Sequence, residues 1–316
     1  MNTEARLSVV VGLISGKKSD VARCLRALHG QAPGIVAEIV VPFDDPCADV
    51  AALGDEFPLV RFVHAAGLDT RAARAGASRE HHDTLRTIGI REARGELIAL
   101  TEDHAYVADS WCAELVAALQ RYPNAAAVGG AVECDSDRLL NWAVWFCDFG
   151  RYQNPLPEGP AEFVSDSNVA YRRAALDTVA SAWHDDYHET AVHWAMIAAG
   201  FDLCTTPRVL VWQARSGLSL GAALGERYVW ARSFAGTRAR LIGLRRFVLA
   251  AFTPVLPLVM TWRLAVTAFR RGRWRGRFVA CLPLILLLQG VWAVGELVGY
   301  VTSNPGGEPV TRHVHS

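Results

Sequence analysis

Glu102 and Asp103 stand side by side where an apolar run, Glu96-Leu97-Ile98-Ala99-Leu100-Thr101, stops. The run is too short for a helix and resumes after His104 as Ala105-Tyr106-Val107, so it reads as a buried strand. Acid delivered to the carboxyl end of such a strand sits where an open α/β sheet has its ligand crevice. Paired carboxylates there suit a divalent cation that holds phosphate oxygens. The competing reading is that Asp103 only shapes a turn, the commonest work of Asp after a strand. A second polar cluster, His184-Asp185-Asp186-Tyr187-His188-Glu189 with His193, invites a zinc site. His188 and His193 are five residues apart and fall on different faces of a helix, unlike the two histidines of HExxH, so zinc is not favoured.

The elements that would position these acids alternate along the first half of the chain. Leu7–Leu13 reads as a strand and Ser19–His29 as a helix, with Val21, Cys24, Leu25 and Leu28 at helical spacing. Residues 35–43, 59–64, 96–101, 125–132, 163–164 and 209–212 read as further strands. Residues 47–53, 79–94, 110–120 and 189–199 read as helices, the last stopped by Gly200. This order predicts an α/β fold with right-handed crossovers and a mainly parallel sheet flanked by helices. Trp142, Trp145, Phe146, Phe149 and Tyr152 are read as core ahead of a stacking surface. The seven cysteines show no ligand spacing and fit a reducing compartment. The amino-terminal apolar run reads as the first strand, with no cleaved signal peptide.

The 32 basic and 32 acidic side chains balance, which gives no overall attraction to nucleic acid. The balance is uneven along the chain, because twelve arginines and no acid lie between Arg227 and Arg277. Two apolar blocks, residues 247–262 and 278–295, flank the segment FRRGRWRGR (269–277). Basic and apolar together predict a membrane surface. With the amino-terminal part in the cytosol, two full spans would put the arginine-rich segment outside, against the positive-inside tendency. With only the second block crossing, the arginines stay inside and the tail lies outside. The expected division is a catalytic domain over 1–240, a membrane-associated helical region over 241–303 and a polar tail over 304–316.

Four segments in order carry a family resemblance: LSVVVGL (7–13), Asp44-Asp45 after the second strand, GIREARGELIALTEDH (89–104), and SNVAYRRAAL (167–176) followed by HETAVHWAMIAAGFDL (188–203). Together they resemble the family 2 glycosyltransferases, inverting nucleotide-sugar enzymes of GT-A fold, over about residues 6 to 240. The resemblance implies that Asp44 or Asp45 binds the base or ribose of the donor. It maps the family's metal-binding DxD onto Thr101-Glu102-Asp103, which makes Asp103 the ligand of Mg2+ or Mn2+ and Glu102 a helper. The general base falls on Glu189. On the donor side, Gly12, Leu13 and Ile14 stand where relatives have Pro-Thr, so base contacts would come from the backbone together with Ser15. Arg86 occupies the helix that in relatives approaches the donor, where it would pair with phosphate. Asn168 and Trp230 are assigned to the acceptor side. Glu226-Arg227-Tyr228-Val229-Trp230 matches the Q-(Q/R)-x-R-W motif of processive synthases only at Arg227 and Trp230.

The chemistry expected of these residues is the transfer of one sugar. A divalent cation neutralises charge on the departing diphosphate, while one carboxylate on the opposite face takes the proton of the attacking hydroxyl. The implied donor is a nucleotide sugar, UDP-linked by the resemblance. The implied acceptor is a lipid or glycan at the cell (inner) membrane, with the catalytic domain facing the cytosol. The rival readings are a processive polysaccharide synthase and a catalytically silent GT-A scaffold that binds a nucleotide sugar.

Overall fold

The computed structural model describes residues 7–31, 36–68 and 80–304. Leu7–Gly12 (β1) and Leu97–Glu102 (β4) are buried at every position, as strands covered on both faces must be. They pair in parallel, as do β1 with Val36–Asp44 (β2) and β2 with Val60–Ala65 (β3). Alternate side chains serve opposite layers. Val9 and Val11 share a core with Val21, Cys24 and Leu25 of Lys18–His29 (α1), whereas Val10 shares one with Ile90 of Glu80–Glu92 (α2).

Beyond β4 the sheet changes character. Its further strands are Ala105–Val107 (β5), Ala125–Cys134 (β6), Gly159–Ala161 (β7), Asn168–Arg172 (β8) and Asp202–Gln213 (β9). The order is β3-β2-β1-β4-β8-β6-β9-β5, with β7 beside β9. β8 runs antiparallel to both β4 and β6, and β5 and β7 run antiparallel to β9. Parallel pairing therefore dominates only from β3 to β4, with one further parallel pair between β6 and β9. Trp111–Arg121 (α3), Leu139–Phe149 (α4), Arg173–Thr178 (α5) and Glu189–Ala198 (α6) complete the layers.

Three elements differ from expectation. The segment 47–53 lies within a 3₁₀ stretch, Asp45–Asp55. Phe163–Val164 forms no strand; the ladder is made by Gly159–Ala161. Val164 docks instead by its side chain in the space left by Gly129, where an added Cβ would fall 2.5 Å from Val164. The last strand starts seven residues early and passes Pro207 by a register shift between Gly130 and Ala131, which spares the ladder a missing donor.

The C-terminal part is four helices: Leu220–Ile242 (α7), Arg246–Phe252 (α8), Leu256–Arg271 (α9) and Arg275–Thr302 (α10). Ser219 caps α7 by accepting from the Ala222 N–H. α10 lies directly against α7 at Gly295 and Gly299, where a Cβ would fall 2.5 Å from Tyr228 O and 2.6 Å from Arg232 O. The turn between α9 and α10 passes through Gly272 at φ 81° and is pinned to the sheet. Glu133 of β6 accepts from Arg273 Nη1 at 3.2 Å and from Trp274 Nε1 at 2.9 Å. Gly243–Arg271 and Arg275–Thr302 are each long and apolar enough to cross a membrane.

Candidate active site

A cavity of about 320 Å³ opens at the carboxyl end of β4. Glu102, His104, Arg86, Asp166, Gln213 and Glu189 line it from the sheet side, and Arg227, Trp230, Met260 and Trp292 line it from the C-terminal helices. Register explains the first of these. Glu102 is the last residue of β4 and pairs with Gly12, the last of β1, so its side chain leaves the sheet at the crevice.

Arg86 is the electrostatic centre of this wall. Its guanidinium is 3% exposed and meets three carboxylates, Glu102 at 2.7 Å, Asp166 at 3.2 Å and Asp83 at 3.3 Å. Burial alone would depress its pKa, but Asp166, Glu102 and Asp83 outweigh burial and hold it above the ordinary arginine value. Gly12 provides the room: an added Cβ would fall 3.4 Å from Arg86 Nε. Gln213 Nε2 donates to the second oxygen of Glu102 at 3.1 Å. Arg86 thus acts on the cavity through the acids it holds in place, rather than as a solvated helix side chain.

Asp103 points elsewhere. It is fully buried and outside the cavity lining. Its Oδ1 accepts from the N–H groups of Ile14 and Ser15, both at 3.1 Å. Its Oδ2 accepts from Ser15 N–H at 3.0 Å, Ser15 Oγ–H at 2.8 Å and Gly16 N–H at 2.7 Å. Gly16 sits at φ 61°, the left-handed conformation that turns consecutive amides toward one anion. Burial would raise the Asp103 pKa, but His104 and the amides of Ser15 and Gly16 outweigh it and hold the carboxyl well below the usual range. The expected direct ligand is therefore a clasp for the β1–α1 loop, and Ser15 is part of that clasp. His104 Nδ1 lies 3.2 Å from Asp103 Oδ1, and its Nε2 lies 3.5 Å from Glu102 Oε2, facing the cavity.

Glu189 is the first residue of α6, half-buried, and lines the same cavity. Behind it Tyr171 OH bridges Tyr187 OH at 2.7 Å and His193 Nε2 at 2.8 Å, all fully buried. Burial pushes both phenols up, and the Glu189 and Asp166 carboxylates add to it. Burial takes His193 down from 6.5 to about 4, with Asp166 opposing only in part. The neutral imidazole thus contributes stability that is complete above about pH 6.5 and is lost as pH falls through about 4. Calorimetric melting temperatures are expected to fall across that window, and His193→Gln to blunt the fall; equal slopes in both proteins would refute the assignment.

Residues 72–180, which carry Arg86, Glu102, Asp166 and Asn168, match the family model described as Glycosyl transferase family 2. Over this segment the chain is similar to the family 2 glycosyltransferases. The fold agrees. The mannosyltransferase PcManGT from Pyrobaculum calidifontis, solved in complex with GDP-Man and Mn2+, superposes with a TM-score of 0.56 at 15% identity. The match covers 94% of this chain and 88% of that one, so the GT-A architecture and the C-terminal helices are included. No curated protein matches the chain by sequence.

Other expected site residues lie away from the cavity. Asp44 is buried at the end of β2, and Asp45 accepts from Gly67 N–H at 3.0 Å and meets His64 Nε2 at 2.7 Å. Asn168, assigned to the acceptor side, is fully buried. It accepts from Trp111 Nε1 at 2.7 Å and donates to Ala131 O and Val209 O, so it ties β8 to its neighbours. Trp230 does line the cavity. Sequence reasoning missed His104, Asp148, Asp166, Gln213 and Arg215, which line it as well. Asp166 stood in view two residues before the asparagine of the NxAYRR segment, and His104 directly after the acid pair. Gln213 and Arg215 carried no local signal.

Proposed function

We propose that the protein moves a single sugar from a nucleotide-diphosphate sugar to a membrane-associated acceptor, inverting the anomeric centre, with Glu189 as general base. The observation that carries this reading is one cavity lined by both Glu102 and Glu189. A hydroxyl entering between them meets a carboxylate able to take its proton while the sugar leaves the diphosphate on the far side.

The donor set fits a divalent cation, Mg2+ or Mn2+, shared with the substrate. A carboxylate has about four lone-pair sites, and Glu102 spends one oxygen on Arg86 and the other on Gln213, leaving capacity toward the cavity. His104 Nε2 is the second donor beside it. Among the described residues no three His, Cys, Asp or Glu are grouped to hold a metal alone, which suits an ion completed by phosphate oxygens. When bound, the cation supplies charge neutralisation at the departing diphosphate. Asp103 supports the pair through His104 and through the loop it clasps.

UDP is the nucleotide implied by the family resemblance, and the GDP-Man bound to the structural neighbour makes GDP the alternative. The membrane-facing helices close the cavity with Met260 and Trp292, which favours a lipid or lipid-linked acceptor. The expected setting is the inner membrane, with the catalytic domain on the cytosolic side. UDP or GDP with Mn2+, at about 100 times its dissociation constant, should stabilise the protein by about 2.7 kcal/mol, read as a rise in melting temperature. A chelator should remove most of that rise. A melting temperature indifferent to both nucleotides would overturn the reading.

A further inference from the structure

Trp292 and Met260 line the catalytic cavity, and each sits well inside a helical segment long enough to cross a bilayer. At 1.5 Å per residue, Trp292 lies about 26 Å from the start of α10 and about 15 Å from its end. Met260 divides Gly243–Arg271 into lengths of about 26 and 17 Å. The hydrocarbon of a bilayer is about 30 Å thick, so neither segment has a stretch beyond the cavity long enough to cross it.

Packing points the same way. The first half of α10 lies on α4 of the catalytic domain, with Phe278 edge-to-face on Phe146 at 5.2 Å and Cys281 Sγ at 3.5 Å from Leu139 O. The second half lies along α7 in the same direction, Gln289 beside Arg227, Tyr300 beside Arg238 and Ser303 beside Arg240. A spanning α10 would carry these arginines into hydrocarbon, at a cost of about 2.5–3.5 kcal/mol or more for one at the centre. What α10 leaves uncovered is a single stripe: Val279, Leu286, Leu287, Val294, Leu297 and Val301. Phe247, Phe252, Leu258 and Trp262 of α8 and α9 are exposed as well. Arg240 of α7, Arg245 just before α8, Arg263 and Arg270 of α9, and Arg275 and Arg277 of α10 are exposed too, with no acid between 227 and 277.

We propose that the C-terminal helices form a monotopic platform for an anionic bilayer surface: they lie along one leaflet, apolar stripes inserted and arginines among the headgroups, and neither crosses. The turn at Gly272, pinned to Glu133, and the end of α10 both stay on the catalytic side. Two spans would expose the turn on the far side, and a single span the end of α10. The platform removes the conflict with the positive-inside tendency, since every arginine stays on one side.

The inference rests on the membrane association proposed above, and its test separates the two. The full chain is bound to sealed vesicles of phosphatidylglycerol and phosphatidylcholine, floated, and treated with a membrane-impermeant maleimide. Single added cysteines stand at Asp55 (Asp55→Cys, catalytic-domain control), Arg270 (Arg270→Cys) and the C-terminus (Ser316→Cys). All three should label equally before detergent is added. Protection of Arg270→Cys or Ser316→Cys in floated protein would overturn the platform while leaving membrane association standing. Absence from the floated fraction would overturn both. Arg240→Gln and Arg245→Gln should each weaken partitioning about 5-fold, the equivalent of about 1 kcal/mol per arginine, with no loss on neutral vesicles.

Discussion

Glu189→Gln should lower turnover by about 10²–10⁴-fold while leaving donor binding within a few-fold of the parent, because the substitution removes a proton acceptor and little else. Gln keeps the length and shape of the side chain, and Glu189 is only half-buried at the first turn of α6, so the helix and the Tyr171–Tyr187–His193 network behind it should stand. The measurement is single-turnover transfer to acceptor, beside nucleotide-dependent stabilisation in the same preparation. Transfer within ten-fold of the parent would remove Glu189 from the chemistry. Loss of donor binding together with turnover would instead mark it as part of the donor site.

The second large effect concerns Asp103. An ion ligand and a loop clasp respond differently to Asp103→Asn. The clasp accepts from three backbone amides and one hydroxyl with no exposure to water. An asparagine must turn its own NH2 toward some of those donors, leaving buried N–H groups unpaired. Hydrogen bonds to charged groups are worth about 1.5–3 kcal/mol and an orphaned buried donor costs about 1–3, so a loss of about 3 kcal/mol or more is expected. For a domain of this size that corresponds to a melting temperature lower by about 6–12 °C. Glu102→Gln should act in the opposite sense. It should abolish Mn2+-dependent nucleotide stabilisation while costing less stability, since Arg86 retains Asp83 and Asp166. If Asp103→Asn melts like the parent and loses only the metal response, Asp103 is the ligand after all and Glu102 the bystander.

These two residues mark the limit of what was legible. The apolar run and its acidic end locate the crevice, because hydrophobic run length and the position of charge are local properties that survive without knowing the neighbours. The same holds for β1, α1 and α6, whose spacing of buried residues matches their observed bounds within a residue or two. Which of two adjacent acids faces the cavity is not local. Successive side chains leave a strand in opposite directions, and only the placement of the β1–α1 loop beneath Asp103 tells one face from the other. The surroundings of Asn168 are not local either. A polar residue beside a family motif resembles a ligand contact until β6 and β9 are seen to supply its partners.

By itself the sequence determined an alternating α/β domain, an acid pair at a strand end, a carboxylate at a helix start, and a basic apolar region after them. Each follows from residue type and spacing along one element. Only the tertiary structure decided that Glu102 and Glu189 share a cavity, that Arg86 gathers three carboxylates, that half the sheet pairings are antiparallel, and that the last helix packs on α4 of the α/β part. Those facts depend on contacts between segments far apart in the chain, where packing and the pairing of buried charge choose among arrangements that local propensity leaves equal.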